Sequence, residues 1–487
     1  MNVVLLRPPM EFHRGWDVAA ETQIPLALMY LGASLRRAGH NVTLIDGAVQ
    51  TEPSALVFSK EGVLHVGMPW EEFVRAVLGA APDLVGISNL FYTQMPQALR
   101  AAREIRAALP KTSIIIGGPP VTVRPQDFLA EPAITAAVLG EGDTILPALA
   151  DALARGQPLS GVRGVAYRQD GRIQTTERAE YVEDLDTLPD PAYDLIDLER
   201  YMRVATMDAS GHWRWKPRRI LTLLTSRGCP FQCTFCAAHV HMGRRYRTHS
   251  PERVLAHIRF IATELGVRHL HFIDDNLGQN KIRFHAILDG LIAMKKEGLP
   301  ITWETPIGMR TDKLTFDILE KAKAAGCQAI FLTVESGSQR VLNEVIDKHL
   351  NLESVVQAAE ACKKLGLKAR SGFIMGLPGE TLEDMQMTVD FAHTLKRKYG
   401  IRGHNTLATP LYGTRLYEIC AEKGYLRQEI TPDNVARASE EGGMIETEDW
   451  TIPQLRAMRD KFKSQSSWLH RTVRNLKRAI RGNKKRR

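Results

Sequence analysis

Three cysteines constrain this chain more than any other feature: Cys229, Cys233 and Cys236, in the run Arg227-Gly228-Cys229-Pro230-Phe231-Gln232-Cys233-Thr234-Phe235-Cys236. No cysteine precedes them. The other three, Cys327, Cys362 and Cys420, stand singly in apolar or helical contexts that suit small buried hydrophobes. Three thiolates hold three irons of a cubane iron–sulfur cluster and leave the fourth iron open to a bound molecule. A cluster that only carried electrons would take four. Phe235, between the last two cysteines, offers a flat apolar face suited to an adenine ring. Zinc is the alternative, with His239 completing a Cys3His site. The three-then-two spacing fits the paired C-x2-C pattern of such sites poorly.

At 487 residues the chain is long enough for two or three domains with their own cores. Its 44% hydrophobic and 24% charged residues are those of a globular protein. No apolar run approaches the roughly 18 residues that span a bilayer, and the start, Met1-Asn2-Val3-Val4-Leu5-Leu6-Arg7, reads as a strand and not as a secretory signal. The net charge of +9 is uneven. From Arg456 to Arg487 thirteen Lys or Arg face one acid, Asp460, a balance of +12 that leaves −3 for the rest. Basicity is therefore a property of the tail, which argues against a nucleic-acid groove across the fold. Within the tail, Leu469, Val473, Leu476 and Ile480 share one helical face beside Arg471, Arg474, Lys477, Arg478 and Arg481. An interfacial helix drawn to anionic lipid fits this pattern, as does a solvated or disordered basic tail. Reactive thiols and an exposed cluster need a reducing compartment, so the cytoplasm is expected, or the inner membrane face if the tail binds lipid.

The first 155 residues alternate strand and helix patterns: strands at 3–6, 42–46, 84–90, 113–118 and 136–142, helices at 24–38, 70–79, 94–108 and 144–155. This order predicts a doubly wound parallel sheet of the Rossmann-like kind. Ligands sit beyond the carboxyl ends of such strands, which here carry Pro9, Ser88 and Asn89, Gly117 and Gly118, and Gly140, Glu141 and Gly142. Residues 156–215, with turn residues and a proline pair but no clear period, read as a connector. A second βα series follows within 216–415, with strands at 220–225, 269–275, 302–307, 329–335, 369–375 and 405–410, predicting a partial (β/α)6 barrel. The cysteine run follows its first strand. The next strand ends bear Asp274 and Asp275, Arg310, Glu335-Ser336-Gly337, and Gly372 to Glu380 with Gly376 at its centre. Residues 416–487 form a C-terminal extension.

The cysteine run, with an aromatic residue before its third cysteine, resembles the signature of the radical S-adenosylmethionine (SAM) superfamily. The stretches Leu5-Leu6-Arg7-Pro8-Pro9, Pro25 to Gly32, Gly39-His40, Val85 to Ser88, Gly117-Gly118-Pro119 and Gly140-Glu141-Gly142 resemble the cobalamin-binding domain fused to many radical SAM enzymes. The resemblance implies three cofactors: a 4Fe–4S cluster on Cys229, Cys233 and Cys236; SAM contacted by Phe235, Asp274, Asp275, Arg310, Glu335 and Gly376; and cobalamin against the strand ends of the first domain. Methionine-synthase-type domains carry D-x-H-x-x-G after the first strand. The corresponding loop here reads Met10-Glu11-Phe12-His13-Arg14-Gly15, so no histidine is expected below cobalt, and His13 reads as a solvent-facing loop residue. Taken alone, each barrel residue has a structural alternative: a solvated strand end for Asp274 or Asp275, a surface ion pair for Arg310, a tight turn for Gly376.

The implied activity is methyl transfer to an unactivated carbon, using two SAM per turnover, a small-molecule substrate that the tail would make lipid-soluble, and an external electron donor of the flavodoxin or ferredoxin type. Two alternatives remain: a cobalamin-dependent cyclase or oxidase of the anaerobic tetrapyrrole type, and a non-catalytic cobalamin sensor. A methylthiotransferase would need further cysteines before Cys229.

Overall fold

The computed structural model describes residues 1–13, 23–49, 56, 58–60, 62–207 and 213–464. The basic face at 469–481 therefore lies outside the described residues. The first unit contains β1 (Asn2–Arg7), β2 (Met10–His13), β3 (Asn41–Asp46), β4 (Val63–Val66), β5 (Leu84–Ser88), β6 (Ser113–Gly117), β7 (Ala136–Val138), β8 (Val165–Gln169) and β9 (Arg172–Thr175). Seven of these form one sheet in the order β3-β1-β5-β6-β7-β8-β9. The first five strands are parallel, and four of them, β1, β5, β6 and β7, are buried on both faces. Val4 and Leu6 point into a cluster with Val85, Ile87, Ile114, Ile116 and Phe128. Val3 and Leu5 point into another with Leu35, Ile115, Val138 and Leu149. Strands of period two with apolar residues at every position can be satisfied only by helices on both sides.

Three features depart from the sequence expectation. First, the stretch 156–215 is more than a connector, because β8 and β9 extend the first sheet in antiparallel fashion. Asp170-Gly171 supplies their turn, with φ of 50° and 74°, as type I′ hairpins require. Second, the strand expected at 136–142 stops at Val138, because a helix already begins at Gly142. Third, His13 does not sit in a loop: it ends β2, which pairs with β4 as a separate ribbon, His13 opposite Val63.

The second unit holds the hairpin β10 (Arg203–Met207) and β11 (Trp213–Pro217), then β12 (Leu221–Leu223), β13 (Ser226–Arg227), β14 (Arg247–Thr248), β15 (His269–Phe272), β16 (Thr302–Arg310), β17 (Cys327–Glu335), β18 (Lys368–Met375) and β19 (Arg402–Leu407). Six strands pair in chain order, β12-β15-β16-β17-β18-β19, all parallel. The result is the expected open barrel, backed by helices such as Pro251–Thr263, Lys281–Lys296, Leu352–Leu365 and Leu382–Tyr399. Its apolar core does not stop at the domain boundary. Ile24, Leu26, Met29 and Tyr30, from the helix Leu26–Arg37 and the residues before it, belong to the same cluster as Leu270, Trp303 and Leu332. The helix Ile452–Lys463 closes the far side, with Phe462 against Phe373 at 5.5 Å between ring centroids.

Candidate functional site

The cysteine loop is clamped at its base. β13 and β14 pair antiparallel, Ser226 with Thr248 and Arg227 with Arg247, so the chain between them is a closed excursion from the carboxyl end of β12. Gly228 starts it at φ 82°, where an added Cβ would lie 2.3 Å from the Arg245 carbonyl oxygen; glycine is required there. The Thr234 N–H donates to the Ile346 carbonyl at 2.9 Å, and its hydroxyl to the Val345 carbonyl at 3.0 Å. The loop is thereby tied to the segment that follows β17.

Cys229, Cys233 and Cys236 are free thiols, each part-buried. Burial pushes all three pKa values up, that of Cys233 to about 11, while the cations of Lys348 and Arg310 pull Cys229 and Cys233 down. Metal ligation requires the thiolate. Three cysteine sulfurs on one clamped loop, beside two cations, are a donor set for iron, which would hold them as thiolates. Phe235 is half-buried, packed on the barrel core.

The strand ends around the loop separate residues that the sequence put together. Asp274 is fully buried and committed: its Oδ1 accepts from the Thr225 N–H at 3.0 Å, the Thr225 hydroxyl at 2.7 Å and the Ser226 hydroxyl at 2.5 Å. It knots the end of β12 to the end of β15, while its Oδ2 is buried with no hydrogen-bond partner. Asp275, one residue on and in the turn beyond β15, is exposed where Asp274 is buried. Its carboxylate reaches solvent but is crowded by the surrounding protein; that burial and the Asp274 charge raise its pKa to about 6.

Arg310 pairs with Asp312 at 2.9 Å and lays its guanidinium 3.8 Å over the Phe231 ring of the cysteine loop. Glu335, at φ 74°, is an uncommon conformation for a residue with a Cβ. It receives Lys348 Nζ at 2.7 Å. Lys348 is buried and also donates to the Thr333 carbonyl; the sequence reading did not single it out. Gly376, at φ 85°, packs under Leu455 and Trp450 of the C-terminal segment. Its N–H donates to Glu380 Oε2 at 2.7 Å. Glu380 is buried, and burial raises its pKa to about 8.

In the first unit the strand order places the topological switch between β1 and β5, where ligands of such sheets sit. A pocket opens there, lined by Pro9, Met10, Ser88, Thr93 and Gln94. Beside it the turn after β5 is pinned: Asn89 Nδ2 donates to the Phe91 carbonyl, and the Leu90 and Phe91 N–H groups donate to Gln94 Oε1. This leaves Leu90 and Phe91 each 49% exposed, an apolar patch at the strand ends. The buried Asn89 Oδ1 has no partner. Gly118, at φ 131°, runs against the Asn89 backbone. Gly117 closes β6, while Gly140 faces open space and Gly142 packs on Leu31. Open backbone, an exposed apolar patch and an orphaned amide oxygen fit a large flat ligand with amide side arms.

Glu141 does not belong to that surface. Both its oxygens are held by Arg247, at 2.7 and 2.8 Å, and it also accepts from the Val182 N–H. Next to it Asp143 grips Arg227 with bonds of 2.7 and 3.1 Å. All four charged groups are at most 7% exposed. The Tyr181 ring covers Arg247 at 4.8 Å and Tyr30 faces Arg227 at 5.7 Å. The acids sit where the helix Gly142–Ala154 begins, which favours negative charge. The arginines flank the cysteine loop. Sequence reading missed Asp143, Arg227, Arg247 and Tyr181; a buried ion pair joining residues 84 and 106 apart leaves no local pattern.

With this geometry the chain can be set beside known proteins. Residues 223–392 match the radical SAM superfamily and residues 17–150 the B12 binding domain. The chain is 33% identical to an uncharacterized methyltransferase of Pyrococcus horikoshii, over 86% of this chain and 83% of that protein. It is 27% identical to the cytidylyl-2-hydroxyethylphosphonate methyltransferase of Streptomyces wedmorensis, over 95% and 89%. An anaerobic magnesium-protoporphyrin IX monomethyl ester cyclase of Synechocystis is 29% identical over 71% and 63%. Its fold is that of the radical SAM methyltransferase TsrM from Kitasatospora setae, with TM-score 0.68, 16% identity, and 96% and 89% of the two chains covered. Two domain matches in one chain, and a relative of this extent, settle the family: the chain belongs to the cobalamin-binding radical SAM enzymes.

Proposed function

We propose that this enzyme transfers a methyl group from SAM to an unactivated carbon of a small molecule. When bound, the cluster and cobalamin supply the chemistry: a carbon-centred radical from SAM on one side, a transferable methyl group on the other. The observation that supports pairing them is the buried contact between Arg227, two residues before Cys229, and Asp143, one residue after the Gly140-Glu141-Gly142 turn. It fixes the two ligand-bearing loops at one junction, as transfer between two cofactors requires.

The chain's own residues have distinct tasks in this reading. Cys229, Cys233 and Cys236 hold three irons. Asp275 faces the cluster side with a carboxylate ionised above about pH 6, suited to the SAM ammonium group. Phe235 offers its ring to the adenine, Glu335 its second oxygen to the ribose, and Arg310 keeps Phe231 and the loop in place. Pro9, Ser88, Asn89, Gly117, Gly118 and Gly140 form the floor for cobalamin, with Leu90 and Phe91 as its apolar wall. Electrons come from a flavodoxin- or ferredoxin-type donor.

Anaerobic turnover tests the reading. It should yield 5′-deoxyadenosine and S-adenosylhomocysteine at about one each per methylated product. 5′-Deoxyadenosine without methylated product supports the second reading, a cyclase or oxidase, which the similarity to the Synechocystis cyclase favours. No helix among the described residues is long and apolar enough to cross a membrane. Peripheral attachment through the basic tail, and with it a lipid-soluble substrate, is part of the proposal. It predicts co-sedimentation with anionic vesicles that is lost on truncation after Ser467.

A further inference from the structure

The end of the barrel opposite the cysteines carries a second group of ligating side chains. His269 and His271 are two apart on β15 and therefore share a face. Leu270 and Phe272 take the other face and are buried in the core, Phe272 edge-on to Trp303 at 5.4 Å. On the neighbouring strand Glu304 is the register partner of His271, and Thr302 that of His269. Pairing thus brings two imidazoles and a carboxylate to one spot. One ligand atom from each lies within 4.8 Å of the others, and no other such group occurs among the described residues. His269 Nε2 stands 3.8 Å from Glu304 Oε1. The other ring nitrogen of His269 is 2.7 Å from the Thr302 hydroxyl, the kind of outer contact that fixes which nitrogen faces a metal.

We propose that His269, His271 and Glu304 form a binding site for a divalent transition cation, preferentially zinc, at the amino-terminal mouth of the barrel. Two imidazoles and one carboxylate are a ligand set of this class, with remaining positions for water. Arg218 lies within electrostatic reach of both imidazoles. Neutral imidazole is the ligating form. Arg218 opposes any incoming cation, and Glu304 is the one carboxylate in the set. That balance selects against magnesium and calcium, which rely on several anionic oxygens, and for a metal that binds imidazole strongly. The bound ion would cross-link β15 to β16 at the end of the barrel that carries no catalytic loop.

The test uses the full-length chain with its iron–sulfur cluster reconstituted, dialysed anaerobically against buffered zinc. About one zinc per chain should remain beside about four irons. X-ray absorption at the zinc edge should show a nitrogen and oxygen shell at about 2.0–2.1 Å and no sulfur at about 2.3 Å. H271A should weaken zinc binding at least about tenfold. E304Q, at a part-exposed position that tolerates the change, should do the same. Both should keep their iron and their SAM cleavage, and C229A should keep its zinc. Failure of the wild-type chain to bind zinc, a sulfur shell, or unchanged zinc binding in both H271A and E304Q would overturn the proposal.

Discussion

Arg227 and Asp143 grip one another through two parallel hydrogen bonds, 84 residues apart in sequence and buried where the two sheets meet. Burial alone would disfavour the guanidinium charge, yet Asp143 and Glu141 together raise its pKa above the ordinary value. Removing one partner of such a pair leaves the other charge buried without compensation. R227A should therefore cost about 3–5 kcal/mol, read as a lower urea midpoint of the coupled unfolding transition. R227K should fall between, because lysine keeps the charge and loses the fork. A midpoint unchanged in R227A would mean that the two units do not lean on this contact.

Adjacent aspartates should separate by phenotype. D274A strands the Thr225 N–H in the core, at a cost of about 1–3 kcal/mol for that donor alone, and should lower the melting temperature. D275N should melt like the wild type but weaken SAM binding at least about tenfold, the scale of one lost charge-assisted hydrogen bond. Thermal melts and equilibrium dialysis with SAM read the two effects. Equal melting temperatures for D274A and wild type would contradict the knot.

Glu380 makes stability depend on pH in a defined direction. Its folded pKa is raised from 4.5 to about 8, so the unfolded chain releases this proton first. The contribution is fully present below the ordinary pKa and is lost as pH rises through about 8. Glutamine keeps an acceptor for the Gly376 and Leu377 N–H groups and cannot ionise. Between about pH 5 and 8 the melting temperature of E380Q should fall less than that of the wild type. Parallel curves would count against a buried, neutral Glu380.

Gly118 and Gly140 both lie just past strands of the first sheet at positive φ, but only one lacks space. A Cβ on Gly118 would lie 2.0 Å from the Asn89 carbonyl oxygen, whereas at Gly140 nothing lies within 4 Å. G118A should displace the turn after β5 and lose cobalamin on gel filtration. G140A should carry only the backbone penalty of about 1–2 kcal/mol and retain cobalamin. Cobalamin lost equally from both would show that conformation, not the close approach, governs the site.

Strands and helices with strong apolar periods were legible in the sequence, to within a few residues at their ends. The helix Trp70–Gly79 falls where its pattern placed it, and the six barrel strands appear in order. Short elements were lost, although one had a local signal: Asp170-Gly171 between Val165-Ala166-Tyr167 and Ile173 is a hairpin turn passed over because the flanking region is polar. Side-chain roles were legible only where one residue type has one use, as with the cysteines. Asp274 and Asp275 lie past the end of β15, where no period says which of the two is buried. Glu141 looked like a strand-end ligand because Arg247, which takes both of its oxygens, lies 106 residues downstream.

The small antiparallel addition to the first sheet also decides how the molecule meets its neighbours. Without it the sheet would end on Ala136–Val138, three buried residues whose backbone would offer an apolar template to any passing extended chain. With it, the outermost strand is Arg172–Thr175: four residues, all exposed, opened by a cation and including a glutamine. Short polar edges resist edge-to-edge addition. A stretch that touches no cofactor surface thereby guards the enzyme against self-association, and it does so on the flank where β7, the strand leading to Gly140, would otherwise be left bare.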